Sequence, residues 1–218
     1  MAMEEQSPLF VGFTEEEVAS LLGCLGTVER QYRKGETILS EGEPAAYLGV
    51  VRRGMALIGC DDVWGNHTVL GSAPPGAVFA EAYACLPGEP LLITVTAAED
   101  TAVLLLPVAR VLTPCVNACA LHTRLLRNLL AVSAQRSLAL SRRILHTSAK
   151  SIRGRLCSYF SECAKRQGSG TITVPYSRQQ LADYLGVDRS ALSNELSKMQ
   201  REGLIRYHRN TFELENLP

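Results

Sequence analysis

Residues 178–205 constrain the fold of this chain most, because small and apolar residues recur there at the spacing of two short helices joined by a tight turn. Ala182 lies where the two helices cross, Gly186 lies at the turn, and Leu192 follows ten residues after Ala182. Such a turn needs a backbone conformation that glycine adopts without a Cβ penalty, and a close crossing leaves room only for a methyl group. The segment therefore predicts a helix-turn-helix.

The outward face of the second predicted helix carries short polar and basic groups. Arginine can donate two hydrogen bonds to guanine, and asparagine can pair in the same way with adenine, so Arg189 and Asn194 are the expected base readers. The alternative is an ordinary helical hairpin with a solvated face. The predicted DNA-binding residues are Arg178, Gln179, Arg189, Ser190, Ser193, Asn194, Lys198 and Arg209.

The flanking sequence extends this motif to a complete domain. Ser177 and Gln180 have the spacing of a capping box at the start of the first helix. Two alternating segments, residues 204–207 and 211–214, are separated by the turn-forming residues 208–210 and predict a two-stranded wing. A further short strand is expected at residues 171–175, so residues 147–218 are predicted to form a winged helix-turn-helix domain.

The net charge of zero hides an asymmetry between the two parts of the chain. Residues 1–145 hold 11 basic against 15 acidic residues, whereas residues 146–218 hold 11 basic against 7 acidic residues. The basic excess suits a phosphate backbone and lies on the part that carries the motif. No apolar run approaches the about 20 residues of a membrane span, and no signal peptide is expected, so the prediction is a cytoplasmic protein with reduced cysteines.

The N-terminal part reads as short strands separated by turns. Turn signals recur about every ten residues, and apolar segments lie between them, which is typical of an antiparallel barrel or jelly roll. A helix at residues 15–25, capped by Thr14, precedes the strands. Residues 1–112 are therefore predicted to form a β-roll, which is also described as a double-stranded β-helix or jelly roll.

Between the two domains, residues 113–146 predict one long helix. About thirty residues lack glycine and proline, and their leucines occupy more than one helical face. One stripe would pack on the β-roll and another on a second copy of the chain, which predicts a homodimer. A helix buried within one domain is the alternative. The predicted fold class is α+β: an N-terminal β-roll, a long dimerisation helix and a C-terminal winged helix-turn-helix.

This order of elements resembles the CRP/FNR family of bacterial transcription regulators, and the resemblance spans nearly the whole chain. It runs from residues 32–36 through the turns at Gly42, Gly54 and Gly76 to the wing. The segment around LADYLGVDRSALS is similar to a subgroup common among anaerobic Gram-positive bacteria. The resemblance implies a homodimeric regulator on a pseudo-palindromic operator in double-stranded DNA, with RNA polymerase as a further partner. An acidic residue and an arginine of the family's recognition helix correspond here to Ser190 and Asn194, which implies a different half-site.

The resemblance also locates an effector site, and there this sequence departs from the family. Cyclic-nucleotide-binding members have a glutamate, which Glu81 matches, and about ten residues later an arginine and a small polar residue, where this chain has Leu91 and Leu92. An anionic phosphate facing Leu91 would lack a charged partner, which disfavours a cyclic nucleotide as effector. A small apolar or aromatic effector is the other expectation. The predicted effector-binding residues are Phe79, Glu81, Tyr83, Leu91, Leu92 and Leu125.

Three residues near the start of the long helix have a spacing that permits metal ligation. Cys115, Cys119 and His122 lie at i, i+4 and i+7, and Cys85 would complete a tetrahedral set. An iron–sulfur cluster or a haem would use the same ligand types. Plain core packing of these thiols and a reversible thiol switch are the alternatives.

Catalysis is not expected from this sequence. A cupin-like enzyme needs two histidines on one strand, but His67 has no neighbouring partner, and no glycine-rich turn flanks Cys115 or Cys119 to build an oxyanion hole. The prediction is a sequence-specific DNA-binding regulator, controlled by an effector or by a redox or metal signal at the junction of the β-roll and the long helix. The alternative is a constitutive repressor whose β-roll is only structural.

Overall fold

The computed structural model describes residues 7–61, 64, 67–86, 88–113 and 120–215 of the chain. The chain divides into two compact units, Met1–Gln135 and Arg136–Pro218. The division falls within one long helix, so each unit includes a part of that helix.

The N-terminal unit is built on two four-stranded antiparallel sheets. The strands are β1 Val28–Tyr32, β2 Thr37–Leu39, β3 Tyr47–Arg53, β4 Ala56–Asp61, β5 His67–Ala73, β6 Val78–Phe79, β7 Thr94–Ala97 and β8 Thr101–Pro107. The strand orders of the two sheets are β1-β8-β3-β6 and β2-β7-β4-β5, which confirms the predicted β-roll.

Strand β8 organises the first sheet because it is buried along almost its whole length. Its sequence TAVLLLP is nearly continuously apolar, as expected for a strand covered on both faces. It pairs with β3 on one side and with β1 on the other, where Val28 lies opposite Leu105. Strand β1 was not predicted from the sequence, because the segment VERQY is mainly polar; the structure shows that it is also mainly exposed.

Gly49 in β3 has a packing role that no larger residue can fill. It lies opposite Phe79 in the β3–β6 pairing, and Phe79 is fully buried. A Cβ atom at Gly49 would lie 2.0 Å from Cζ of the Phe79 ring. The glycine therefore provides the space that the aromatic ring occupies in the core of the roll.

Helices lie before, within and after the strands of the β-roll. Helix α1 (Glu15–Leu25) begins with a capping box between Thr14 and Glu17, as predicted at Thr14, and ends at Gly26 in a left-handed conformation. Helix α2 (Glu81–Ala84) and helix α3 (Val108–Leu112) are short.

The long helix α4 (Ala120–Thr147) has 28 residues and confirms the predicted helix. Its first half packs on the roll through Leu125, Leu129 and Val132, which join the core formed by α1 and β8. Asn128 donates to the Leu9 and Val11 carbonyl groups, and Arg124 donates to the Gly12 carbonyl and the Glu17 carboxylate. These contacts attach the N-terminal segment to the helix. No helix among the described residues has the length and apolar character needed to cross a bilayer.

The described part of the C-terminal unit contains the elements α5 Ile152–Gln167, β9 Thr171–Thr173, α6 Arg178–Leu185, α7 Arg189–Arg201, β10 Ile205–His208 and β11 Thr211–Leu214. The strands form a sheet of order β10-β11-β9. Helix α5 was not predicted from the sequence, although Ser151 caps its start and Gly168 ends it in a left-handed conformation.

The Gly49 packing gives a test of the β-roll core. We expect Gly49→Ala to lower the free energy of unfolding by about 1–3 kcal/mol, because its methyl group overlaps the Phe79 ring. Gly71→Ala in β5 is the matched control, since a Cβ there meets nothing within 4 Å. Calorimetric unfolding of the full chain would measure both variants. Equal stability of the two variants would contradict the packing argument.

Candidate DNA-binding surface

Helices α6 and α7 form the predicted helix-turn-helix, and each predicted steric feature is present. Both arms of the Ser177–Gln180 capping box are made. Gly186 ends α6 with φ +64°, the left-handed region that favours glycine. Ala182 and Leu192 are fully buried between the helices. The local sequence therefore determines the angle at which α7 leaves the turn.

Helix α7 separates a buried side from a solvent-facing side. Leu192, Leu196 and Met199 are buried in the core of the unit. Asp188 caps the helix by accepting the Ala191 N–H, and its carboxylate also accepts the Ser190 hydroxyl. The Ser190 hydrogen bond is the main reason why the pKa of Asp188 is lowered, so this carboxyl group is ionised at neutral pH.

The carbonyl groups at the end of α6 are bound by two arginines from other helices. Arg143 of α4 donates to the Asp183 and Tyr184 oxygens at 3.1 and 3.2 Å. Arg155 of α5 donates to the Leu185 and Gly186 oxygens at 2.9 and 3.0 Å. The last carbonyl groups of a helix lack partners within it and carry partial negative charge. The two guanidinium groups satisfy both needs and hold the turn in place.

His146 lies buried beside this attachment, within a cluster of tyrosines. One ring nitrogen, Nδ1, lies 2.8 Å from the Tyr184 hydroxyl, and the ring meets that of Tyr159 edge to face. Nε2 lies 3.9 Å from the Glu162 carboxylate. Burial lowers the pKa of His146; Glu162 opposes this shift, while Arg142 and Arg166 add to it. The histidine is therefore neutral in the folded protein at neutral pH.

Helix α5 also supports the recognition helix directly. Arg153 donates to the carboxylate of Glu195 at 2.6 Å and to both oxygens of Glu202 at 2.6 and 3.1 Å. Glu195 lies in α7 and Glu202 directly follows it. These ion pairs join α5 to the length of α7 on the side away from the exposed serines.

The wing is a hairpin whose tip carries Arg209. Strands β10 and β11 are joined by residues 209–210, and Arg209 has φ +53°, which is uncommon for a residue other than glycine. Arg178 lies against this hairpin, with its guanidinium carbon 4.9 Å from the centre of the Tyr207 ring and 5.0 Å from that of Phe212. It also donates to the Arg209 carbonyl at 3.0 Å. Arg178 thus supports the turn that presents Arg209.

The structure gathers the predicted DNA-contact residues on the helix-turn-helix and wing. Arg189, Ser190, Asn194 and Lys198 are exposed on α7, and Ser193 is half-buried beside them. Gln179 is exposed and donates to the Asp183 carboxylate. Arg178 differs from the rest because it is half-buried against the wing, where burial lowers its pKa. Its role in direct DNA contact stays a prediction.

Sequence reasoning missed the residues that hold this surface in place. Arg143, Arg155, Arg153 and His146 contact positions about 30 to 50 residues away along the chain. No local sequence motif predicts such long-range contacts. The sequence indicated only that these polar residues lie on helices among apolar neighbours.

The predicted effector-binding residues occupy different environments. Phe79 and Leu91 are buried in one core cluster, with Tyr83 packed against it, whereas Leu125 belongs to a second cluster beside α1. Leu92 is 63% exposed. Glu81 is buried at the start of α2. The six residues therefore do not line a single apolar cluster.

Only part of the predicted metal-ligand set falls within the described residues. Cys115 and Cys119 lie outside them. Cys85 is exposed as a residue, but partial burial of its thiol, together with the nearby Glu81, raises the pKa of the thiol. His122 is buried, with Nε2 2.7 Å from the Val111 carbonyl oxygen. No three potential ligands among the described residues are placed to hold a metal ion.

Comparisons with known proteins agree with this architecture. Residues 154–218 match the model of the Crp-like helix-turn-helix domain, and residues 29–115 match that of the cyclic nucleotide-binding domain. A probable transcriptional regulator, flp, of Lacticaseibacillus casei is 30% identical over 213 residues, covering 91% of this chain and 87% of that protein.

Two solved structures show the same fold. The catabolite activator protein of Thermus thermophilus is 24% identical with a TM-score of 0.53, over 96% of this chain and 94% of that chain. The N-terminal domain of a transcriptional regulator from Streptomyces coelicolor A3(2) is 26% identical with a TM-score of 0.53, over 63% of this chain and 94% of that domain.

The β-roll, the long helix and the exposed recognition helix together define a DNA-binding transcription regulator with a winged helix-turn-helix. The chain belongs to the CRP/FNR family of such regulators. Both predictions made from the sequence, of the family and of DNA binding, are therefore confirmed.

The buried His146 predicts a pH dependence of stability in the C-terminal unit. Its folded pKa lies below the unfolded value of 6.5, so the unfolded chain binds the proton more readily. The contribution of His146 is therefore fully present above pH 6.5 and is lost as the pH falls through the folded pKa. Urea unfolding of the full chain and of His146→Gln, followed from pH 7.5 to 5.5, measures this. A wild-type minus variant difference that stays constant with pH would contradict it.

Proposed function

We propose that this protein is a homodimeric, sequence-specific regulator that binds a pseudo-palindromic operator in cytoplasmic DNA and has no catalytic activity. The observation that carries this proposal is the exposed face of α7, where four predicted contact residues point away from a fully buried core. Arg153 of α5 holds α7 directly, while Arg143 and Arg155 hold the end of α6 and the turn that precedes α7. A rigidly held polar helix suits base readout in the major groove.

Charge supports the same surface. Residues 146–218 carry four more basic than acidic residues, while residues 1–145 carry four more acidic than basic ones. Phosphate contacts position a protein on DNA, and base contacts specify the sequence. Lys198 and Arg209 suit phosphate contact, whereas Arg189 suits a bidentate contact with guanine.

Selection of binding sites from a random duplex library, followed by affinity measurements, tests this assignment. We expect Arg189→Ala to weaken cognate binding by about 1–3 kcal/mol and to relax the preference at one base pair of each half-site. Lys198→Ala should weaken cognate and random DNA more evenly. Equal losses of Arg189→Ala on cognate and random DNA would remove Arg189 from base readout.

The long helix supports the proposal of a homodimer. In its described residues it leaves these large apolar side chains mainly exposed: Leu130, Leu138, Leu140, Ile144 and Leu145. Leu138 and Leu145 lie seven residues apart, and Leu130 and Ile144 lie fourteen apart. A spacing of seven residues is that of a coiled-coil seam. A second copy of the same helix would cover this stripe. The two recognition helices would then need to match major grooves about 34 Å apart.

A single charge in this stripe should weaken the dimer. We expect the wild type to sediment at twice the 23.7 kDa mass of the chain. Leu138→Glu should weaken dimerisation about tenfold or more, because a buried leucine contributes about 1.5–3 kcal/mol. Leu86→Glu is the control, a similarly exposed leucine outside the helix. A dimer constant unchanged by Leu138→Glu would exclude this face as the interface.

We further propose that a signal acts where the roll packs on the first half of α4, through the core of Leu125, Leu129 and Val132. A cyclic nucleotide stays disfavoured, because Leu91 is 1% exposed and faces the core rather than offering a positive charge.

A small organic effector, or a metal or thiol signal at Cys85, Cys115, Cys119 and His122, is the proposed input. A constitutive repressor is the alternative, and it differs in having operator affinity that responds to none of these. RNA polymerase is the proposed further partner.

A further inference from the structure

The serines on the exposed side of α7 have all committed their hydroxyl hydrogens to acceptors within the protein. Ser190 donates to the Asp188 carboxylate, Ser193 donates to the Arg189 carbonyl at 2.9 Å, and Ser197 donates to the Ser193 carbonyl at 3.0 Å. Carboxylate and carbonyl oxygens can only accept, so the serine is the donor in each pair. A hydroxyl group has one hydrogen and two lone pairs, and only the lone pairs remain for another partner.

Ser190 is the most strongly held of the three. Its acceptor is an ionised carboxylate, and hydrogen bonds to ionised groups are roughly twice as strong as neutral ones. Asp188 is itself fixed, because it caps α7 through the Ala191 N–H. Turning the Ser190 hydrogen towards DNA would break this hydrogen bond. The Ser190 oxygen would then face the negatively charged Asp188 carboxylate with no hydrogen between them. Ser190 therefore meets a ligand as an acceptor.

The position of Ser190 is that of a base reader. It is exposed, and it is the second residue of α7, at the end of a recognition helix that contacts base edges. In the major groove, cytosine and adenine present an amino group, whereas guanine presents N7 and O6 and thymine presents O4 and a methyl group. An oxygen that can only accept pairs with the first two bases and repels the acceptors of the others.

We propose that Ser190 specifies cytosine or adenine at one position of each operator half-site, as an obligate hydrogen-bond acceptor, with Asp188 as the positioning residue that holds its hydrogen away. This inference rests on the proposed sequence-specific DNA binding and adds the chemistry of one base contact. It also assigns different hydrogen-bonding roles to two neighbouring residues of α7. Arg189 supplies donors to guanine, and Ser190 supplies an acceptor to an amino group.

The test uses the full-length protein and a binding site selected from a random duplex library. Affinities are then measured for the four single-base variants at every position of one half-site. We expect one position at which the wild type binds cytosine or adenine about five- to tenfold more tightly than guanine or thymine. Ser190→Ala should reduce this ratio to within about twofold and leave the other positions unchanged. The variant keeps the Asp188 cap, and equal thermal unfolding would verify its fold.

Two further variants separate an acceptor from a merely packed side chain. Ser190→Asp, which can only accept when ionised, should keep the cytosine or adenine preference although it weakens binding to all four variants. Ser197→Ala removes another hydroxyl group whose hydrogen is donated within the protein, here to a backbone carbonyl, and should leave that position unchanged.

Three results would overturn this inference alone. Ser190→Ala with wild-type preferences at every position would show that Ser190 reads no base, and loss of a preference for guanine or thymine would show that it donates. Ser190→Asp that abolishes the preference would refute the acceptor role. These results leave the proposed function intact, whereas a wild-type library that yields no motif would overturn the proposed function and this inference with it.

Discussion

The recognition surface depends on the capping of α6 by two arginines. A turn between two short helices leaves carbonyl groups that neither helix can satisfy, at a point where the helix dipole is negative. Arg143 and Arg155 donate to four consecutive carbonyl groups there, from residue 183 to residue 186. The turn that sets the angle of α7 is therefore stabilised from outside the helix-turn-helix as well. A shift of the last turns of α4 would first disturb the hydrogen bonds from Arg143 to these carbonyl groups.

This arrangement gives the long helix a physical part in DNA binding. Its last turns hold α6 through Arg143 and His146, and its first turns pack on the roll through Leu125 and Leu129. The two attachments differ in chemistry. The attachment to α6 is polar, while the attachment to the N-terminal unit combines an apolar core with the hydrogen bonds of Arg124 and Asn128.

The features that could be predicted from the sequence are those that depend on near neighbours. Gly186 and the Ser177–Gln180 cap act within a few residues, so their spacing revealed both ends of α6. The strands of the roll were found where apolar segments alternate with turns. Strand β1 was missed because its polar sequence has no apolar alternation, and it pairs with β8, which is distant in sequence. Helix α5 was missed although its caps at Ser151 and Gly168 are ordinary ones.

The candidate site shows the same division. The exposed residues of α7 follow from helical periodicity, whereas the contacts of Arg178 with the wing could be seen only after folding placed Tyr207 and Phe212 beside it. The effector residues were placed by the resemblance to the family, and the structure separates Leu125 from Phe79 into two clusters. Linear order locates a segment, but it does not decide which side of a sheet a side chain occupies.

The strand order of the roll also has a consequence for synthesis of the chain. Strand β1 pairs with β8, which joins Val28 to Leu105, and Asn128 reaches back to Leu9 across 119 positions. The first sheet therefore stays incomplete until residues beyond 105 have left the ribosome. Until then β1 lacks its partner strand β8. Non-local pairings of this kind slow folding, whereas the pairing of β10 with β11 is local. The β-roll is accordingly the slow-folding part of the nascent chain and the part most exposed to aggregation before it closes.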